Sequence, residues 1–175
     1  IIVFHVSGGT TEMILVENGQ IVETVGSSND LFAGQAVDRL GVKLGFPFPA
    51  GVYVSQQAKK CNETIKPKVS VKGLDCNLSG LQNQCEKLID SGATMEYVCK
   101  YCLSFIARTL IKMADNAREI YGDLPIVFVG GVMSSDTIKE IVKNTMKDVF
   151  FVEPVFSSDN AIGTAAVAAR KVLYG

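Results

Sequence analysis

Between the apolar runs at 1–6 and 13–16 stands Ser7-Gly8-Gly9-Thr10-Thr11-Glu12, a stretch whose residue types suit anion binding. Two adjacent glycines between β-prone runs predict a tight hairpin whose backbone takes positive φ. Ser7, Thr10 and Thr11 bring hydroxyls and free backbone N–H groups to its tip. Such a tip can cradle a phosphate or another anion. The competing reading is a plain polar turn. Two later stretches weigh against it: Gly130-Gly131 and Asp159 each follow a short apolar run, where α/β sheets place their sites. Asp159 is also a good helix N-cap in its own right.

Other chemistry is poorly supplied. His5 is the single histidine, so neither Ser79 nor any cysteine can form a Ser–His or Cys–His pair, and Ser79 reads as a helix cap. Cys99-x-x-Cys102 lacks a second pair of cysteines or histidines and sits in a helical pattern. Buried core thiols are the better reading of the five cysteines, and a reducing, cytoplasmic compartment follows.

The elements that must position these residues follow from periodicity. Strands at 1–6, 13–16 and 21–25 form an antiparallel meander, its second turn marked by Asn18-Gly19. A polar break, Gly26-Ser27-Ser28-Asn29-Asp30, offers helix caps. A helix over 31–44 carries Val37, Leu40 and Leu44 on one stripe, with Gln35 and Asp38 facing away. Gly45 to Gly51, with two prolines, end it in a stiff loop. A short helix at about 52–60 precedes a surface excursion at 61–79. Ser79 caps a helix to about residue 90, and Thr94 caps another to about 121 with Val98, Cys102, Phe105, Thr109 and Met113 on its packing stripe. A strand at 125–129, a helix capped by Ser134 or Ser135, a strand at 148–152 and an alanine-rich helix over about 157–173 complete the chain.

At 175 residues this is one domain or one lobe. With 47% hydrophobic residues it can bury a sizeable core. Seventeen basic against eighteen acidic residues leave a net charge of −1, which argues against strong autonomous nucleic-acid binding. No apolar run is long enough for a membrane span. The chain opens directly on a strand, as if an upstream segment had been removed.

Three antiparallel strands followed by helix, strand, helix, strand, helix resemble a ribonuclease-H-like lobe of the actin, Hsp70 and sugar-kinase superfamily: α/β, with a mixed sheet. The motifs are more specific. His5-Val6-Ser7-Gly8-Gly9-Thr10-Thr11 is similar to the V-S-G-G-H-T phosphate loop of the tRNA threonylcarbamoyladenosine synthases, long called O-sialoglycoprotein endopeptidases or glycoproteases. Ala33-Gly34-Gln35-Ala36-Val37-Asp38 resembles the family's A-G-E-A-F-D, and Pro47-Phe48-Pro49-Ala50-Gly51 its Y-P-G-G. Asn77-Leu78-Ser79-Gly80-Leu81 resembles F-S-F-S-G-L. Gly130-Gly131-Val132 resembles G-G-V-x-x-N, and Ser158-Asp159-Asn160-Ala161 resembles T-D-N-A.

The resemblance implies a single C-terminal, nucleotide-facing lobe over 1–175, with a helical insertion at about 52–121 and the first lobe absent. Ser7, Gly8, Gly9, Thr10 and Thr11 would hold the phosphate or carbamoyl end of an acyl-adenylate or adenine nucleotide. Asp38 would accept from the ribose, while Gly51, Gly130 and Gly131 let the nucleoside approach the backbone. Ser135 stands where the family has a nucleotide-binding asparagine. Asp159 would give one carboxylate to a divalent metal, iron or zinc, completed by two histidines of the missing lobe. No catalytic residue is assigned. The implied activity is a metal-assisted transfer of a threonylcarbamoyl group to tRNA, with the isolated segment inactive. The missing lobe, a second copy or family partner proteins are the partners left open, and tRNA only for the complete protein. Thr10, Gln35 and Ser135 depart from the family's pattern and suggest a divergent paralogue. A non-catalytic assembly module, or a metallopeptidase or kinase of the same superfamily, are the alternatives.

Overall fold

In a computed structural model, which describes residues 1–153, five strands form one mixed sheet in the order β3-β2-β1-β6-β7. β1 (Ile2–Val6), β2 (Thr11–Glu17) and β3 (Gln20–Ser27) make the expected antiparallel meander. β6 (Ile126–Val129) then pairs parallel to β1, and β7 (Val149–Phe151) parallel to β6. The helix expected over 157–173 lies outside the described residues, as does Asp159.

Alternation along the strands sets the core. Ile2, Phe4 and Val6 of β1, Met13 and Leu15 of β2, and Ile126 and Phe128 of β6 are buried, as a period of two requires when one face is packed. Phe4, Phe128 and Phe151 stack across three strands with centroids 5.0 and 5.1 Å apart, so the aromatic rows reinforce the parallel register.

Helices α1 (Ala33–Lys43), α2 (Gly51–Ala58), α3 (Ser79–Asp90), α4 (Met95–Tyr121) and α5 (Asp136–Thr145) supply the remaining layer. α4 is 27 residues long and its predicted stripe of Val98, Cys102, Phe105, Thr109 and Met113 is buried in full. Thr109 is tolerated there because its hydroxyl donates to the Phe105 carbonyl at 2.9 Å. Thr94 caps the helix as expected, its Oγ1 accepting from the Tyr97 N–H. Cys85, Cys99 and Cys102 are buried and free. Burial pushes the Cys99 thiol up to about 12, which keeps it protonated and inert.

The stretch expected as a surface excursion runs largely exposed and irregular over 61–69, and is anchored only from residue 70 on. Strands β4 (Ser70–Lys72) and β5 (Asp75–Asn77) form a hairpin, with Gly73 at φ 61° in its turn. Cys76 and Leu78 are buried. The Asp75 carboxylate accepts from the Ser27 N–H at 2.8 Å, tying the hairpin to the end of β3.

Asp30 is the second anchor. Its Oδ1 accepts from the N–H groups of Leu31 (2.6 Å) and Leu78 (2.7 Å). Its Oδ2 accepts from the Ser79 hydroxyl (2.5 Å), the Ser79 N–H (3.2 Å) and the Asn77 amide (3.3 Å). Ser79 is therefore not the cap of α3, whose N-cap is Leu78 with no side-chain bond; a carboxylate far upstream claims the hydroxyl. Partial burial works to raise the Asp30 pKa, but the Ser79 hydroxyl and the three backbone donors outweigh it and hold the carboxyl at about 2.

Candidate functional site: a glycine-rimmed cleft

Because β1 and β6 are neighbours and parallel, the turns that follow them emerge side by side at the carboxyl edge of the sheet. After β1, the Ser7 N–H donates to the Thr10 carbonyl at 2.8 Å and the Gly9 N–H to the Ser7 hydroxyl at 3.2 Å. The expected hairpin thus forms. Neither Gly8 nor Gly9 takes the positive φ expected of it; the left-handed positions are others, such as Gly19 and Gly130. What demands a missing side chain is proximity. A Cβ on Gly34 would lie 2.6 Å from the Gly8 Cα, and the Gly34 N–H donates to the Ser7 carbonyl at 3.0 Å. α1 thus abuts the turn backbone to backbone. A Cβ on Gly8 or Gly9 would meet nothing within 4 Å, so the turn's outer side is open.

Thr11 sits under the turn. It is buried, its hydroxyl donates to the Thr10 carbonyl at 2.9 Å and accepts from the Ala33 N–H at 2.8 Å. That satisfies the first turn of α1 in place of a local cap, since the N-cap, Phe32, offers none. The hydroxyl expected to meet a ligand is committed to the fold.

After β6, Gly130 has φ 108°, and any Cβ there would fall on the Val6 carbonyl oxygen. The chain then turns through a short 3₁₀ segment, Gly131–Ser134, to Ser135 and α5. Ser135 is the N-cap residue, yet its side chain makes no cap bond. Its Oγ is buried and has no hydrogen-bond partner. An unmade hydrogen bond at a buried hydroxyl costs about 1–3 kcal/mol.

These turns border a cleft of about 510 Å³, within the range of small-molecule sites. Gly8, Asp38, Gly51, Gly131 and Ser135 line it. Ser7, Gly9, Thr10, Thr11 and Gly130 stand behind or beside it rather than in its lining. Asp38 does two things: its Oδ1 accepts from the Ala50 N–H at 2.8 Å, fixing the proline loop against α1, and the residue borders the cleft. Sequence reasoning did not single out Ser55, Gln56, Lys59 and Asp136, which with Ser134 complete the polar lining. Their signal was faint, since a serine, a glutamine and two charges on short helices read as solvated faces. Lys59 and Asp136 meet at 2.5 Å, linking the end of α2 to the start of α5. The hydrogen bond and charge of Lys59 hold the Asp136 carboxyl below its usual range, and Asp136 raises the lysine in turn.

Among the described residues, no group of three or more His, Cys, Asp or Glu side chains could hold a metal ion. His5 faces Glu12 at 3.7 Å, on the strand leading to the turn. Also among the described residues, no helix is long and apolar enough to cross a membrane.

The strand order, the parallel crossover and the cleft at the carboxyl edge define an α/β ribonuclease-H-like lobe of the actin, Hsp70 and sugar-kinase superfamily. Solved structures agree. Component A of the (R)-2-hydroxyglutaryl-CoA dehydratase of Acidaminococcus fermentans matches with a TM-score of 0.63 at 14% identity, over 97% of this chain and 61% of that one. The activator of the 2-hydroxyisocaproyl-CoA dehydratase from Clostridium difficile, a structure with bound ADPNP, matches with a TM-score of 0.59 at 12% identity, over 97% and 62%. Within that superfamily the chain belongs to the tRNA N6-adenosine threonylcarbamoyltransferase (TsaD) family, whose profile matches residues 2–166. A probable bifunctional tRNA threonylcarbamoyladenosine biosynthesis protein of Methanococcus maripaludis is 31% identical over 98% of this chain and 32% of its own length. A tRNA N6-adenosine threonylcarbamoyltransferase of Thermococcus gammatolerans is 29% identical over 98% of this chain and 54% of its own length. The chain therefore spans about a third to a half of these relatives.

Proposed function

We propose that this chain is the C-terminal, nucleotide-facing lobe of a threonylcarbamoyltransferase-like protein, and that its cleft takes the adenylate part of an adenine nucleotide or acyl-adenylate. The observation that carries the reading is a cleft at the carboxyl edge of β1 and β6 with open glycine backbone on its rim and Asp38 and Ser135 in its lining. The Ser135 hydroxyl, buried and without a partner, would turn toward the cleft to meet a nucleotide's acceptors or donors.

In this reading Ser7, Gly8, Gly9 and Thr10 receive the phosphate or carbamoyl end through N–H and hydroxyl groups. Thr11 acts indirectly, by fixing the turn to α1. The Asp38 oxygen not committed to Ala50 accepts from ribose hydroxyls, and Gly51, Gly130 and Gly131 give the nucleoside room at the backbone. A divalent metal, when bound, would supply Lewis-acid polarisation. The described residues contain no set that fits one, and Asp159 lies outside them, so no step is assigned to it. Transfer to a tRNA adenosine requires groups beyond this lobe, and we propose that the segment alone does not turn over. Thr10, Gln35 and Ser135, where the family pattern has other residues, favour as a second reading a paralogue that keeps the nucleotide cleft but serves assembly.

The test is calorimetric titration of ATP and AMP, with metal content assayed alongside. The expected result is one nucleotide site, weakened by Asp38→Ala. Asp38→Asn separates the roles, since its amide oxygen still accepts from Ala50 while the charge is lost. A folded protein that binds neither nucleotide overturns the reading.

A further inference from the structure

Away from the cleft, three of the five thiols meet where α3 packs on α4. Cys99 and Cys102 lie one helical turn apart on the same side of α4 and are fully buried, and Cys85 approaches them from α3. The Tyr101 hydroxyl donates to the Gln84 side-chain oxygen, so the turn that carries Cys85 is pinned to the turn that carries Cys102. The Cys85 and Cys102 thiols are in hydrogen-bond contact, which together with burial pushes the Cys102 thiol well up. Of the three, Cys85 also lines a crevice of about 20 Å³ between α1 and α3, room for a molecule the size of water or a little larger. Arg39 donates to Gln82 at 3.5 Å and Lys43 to Glu86 at 2.7 Å, bridging the two helices along that crevice. Cationic N–H donors therefore stand where a small oxygen compound would enter.

We propose that Cys85 and Cys102 form a reversible redox pair: hydrogen peroxide entering the crevice oxidises Cys85, and Cys102 resolves the product into a disulfide that staples α3 to α4. In the first step the Cys85 sulfur attacks one peroxide oxygen and the O–O bond breaks. The thiol proton leaves with the other oxygen as water, and Cys85 becomes a sulfenic acid. In the second step the Cys102 sulfur bonds to the Cys85 sulfur and the S–O bond breaks. The Cys102 proton leaves with the departing hydroxyl as a second water. Peroxide is reduced, the two sulfurs are oxidised, and a dithiol reverses the bond by exchange. The roles follow from position: Cys85 is reached from the crevice, whereas Cys102 is reached only through Cys85. The site is independent of the nucleotide reading.

The test is treatment of the folded protein with hydrogen peroxide, followed by mass spectrometry of the intact chain and of its peptides. The expected product has lost two hydrogens, carries a link between Cys85 and Cys102, and returns to the starting mass with dithiothreitol. Its thermal midpoint should rise by roughly 5 °C or more, because the bond constrains the unfolded chain. Cys102→Ser should stop the reaction at a Cys85 sulfenic acid that a cyclic 1,3-dione traps, whereas Cys85→Ser should leave Cys99 and Cys102 unmodified. Cys61→Ser removes a more exposed thiol and should leave the link in place. The peptide map of the unmodified sequence decides the matter even where a variant folds poorly. A link that pairs Cys85 with Cys99 or Cys61, oxidation confined to Cys61, or a Cys85–Cys102 link that appears only after urea unfolding would each overturn the proposal.

Discussion

Replacing Asp30 by asparagine should uncouple the β4–β5 hairpin and α3 from the connection between β3 and α1. The asparagine oxygen can still accept from Leu31 and Leu78, but an NH₂ group then faces the Ser79 N–H and the Asn77 amide, both donors. The native carboxyl is lowered from 3.8 to about 2, a difference that corresponds to at most about 2.5 kcal/mol at 1.36 kcal/mol per pH unit. Asp30 is exposed, and solvent screening reduces that ceiling to about 1 kcal/mol. The folded value lies below the unfolded one, so the stabilisation is complete above about pH 4 and is lost as pH falls through about 2. Urea unfolding of the two proteins from pH 7 to pH 2 is the assay. With a slope of about 2 kcal/mol/M, the Asp30→Asn midpoint should lie about 0.5 M lower at pH 7. The gap should hold down to pH 5 and close below pH 4. A gap of the same size at pH 2 and pH 7, or no gap at all, would refute the assignment of a charged hub.

Gly34→Ala should destabilise the fold by about 2 kcal/mol or more, because neither the Gly8 backbone nor α1 can retreat from the new methyl group. Thermal unfolding checks it, and an unchanged midpoint would contradict the close contact. Ser135→Ala should leave the ligand-free protein as stable or up to about 1 kcal/mol more so, since it removes an unsatisfied hydroxyl. The same variant should bind AMP up to about tenfold more weakly. A loss of ligand-free stability in thermal melts would mean that the hydroxyl already has a partner.

The meander and the long helix were legible because their signals are local. Asn18-Gly19 makes its turn with both residues at positive φ, and Thr94 caps α4 from the adjacent position. The neighbourhood of residues 61–79 was not legible, because its anchors are distant. Asp75 reaches Ser27, and Asp30 reaches Leu78 and Ser79; no window of neighbouring residues contains these pairs. The candidate site was legible in part for the same reason. Glycine pairs after strands marked the turns, but the reason for glycine at 34 is the approach of Gly8, and the reason at 130 is the Val6 carbonyl. Thr11 misled because a hydroxyl beside a glycine turn suits a ligand and a helix start equally well. Lys59 and Asp136 lie far apart in sequence and meet only once α2 and α5 are packed.

The parallel pairing of β1 with β6, Ile2 opposite Ile126, has a kinetic consequence. The two turns that flank the cleft come from opposite ends of the described chain, and everything between them must be looped out before they meet. Closing so long a loop carries an entropic cost that local hairpins and helices do not face. The β1–β2–β3 meander can form early, whereas the cleft needs the β1–β6 pairing. Appearance of the cleft during refolding should therefore trail the gain of helix and hairpin signals, so that a ligand seated there would report the finished fold.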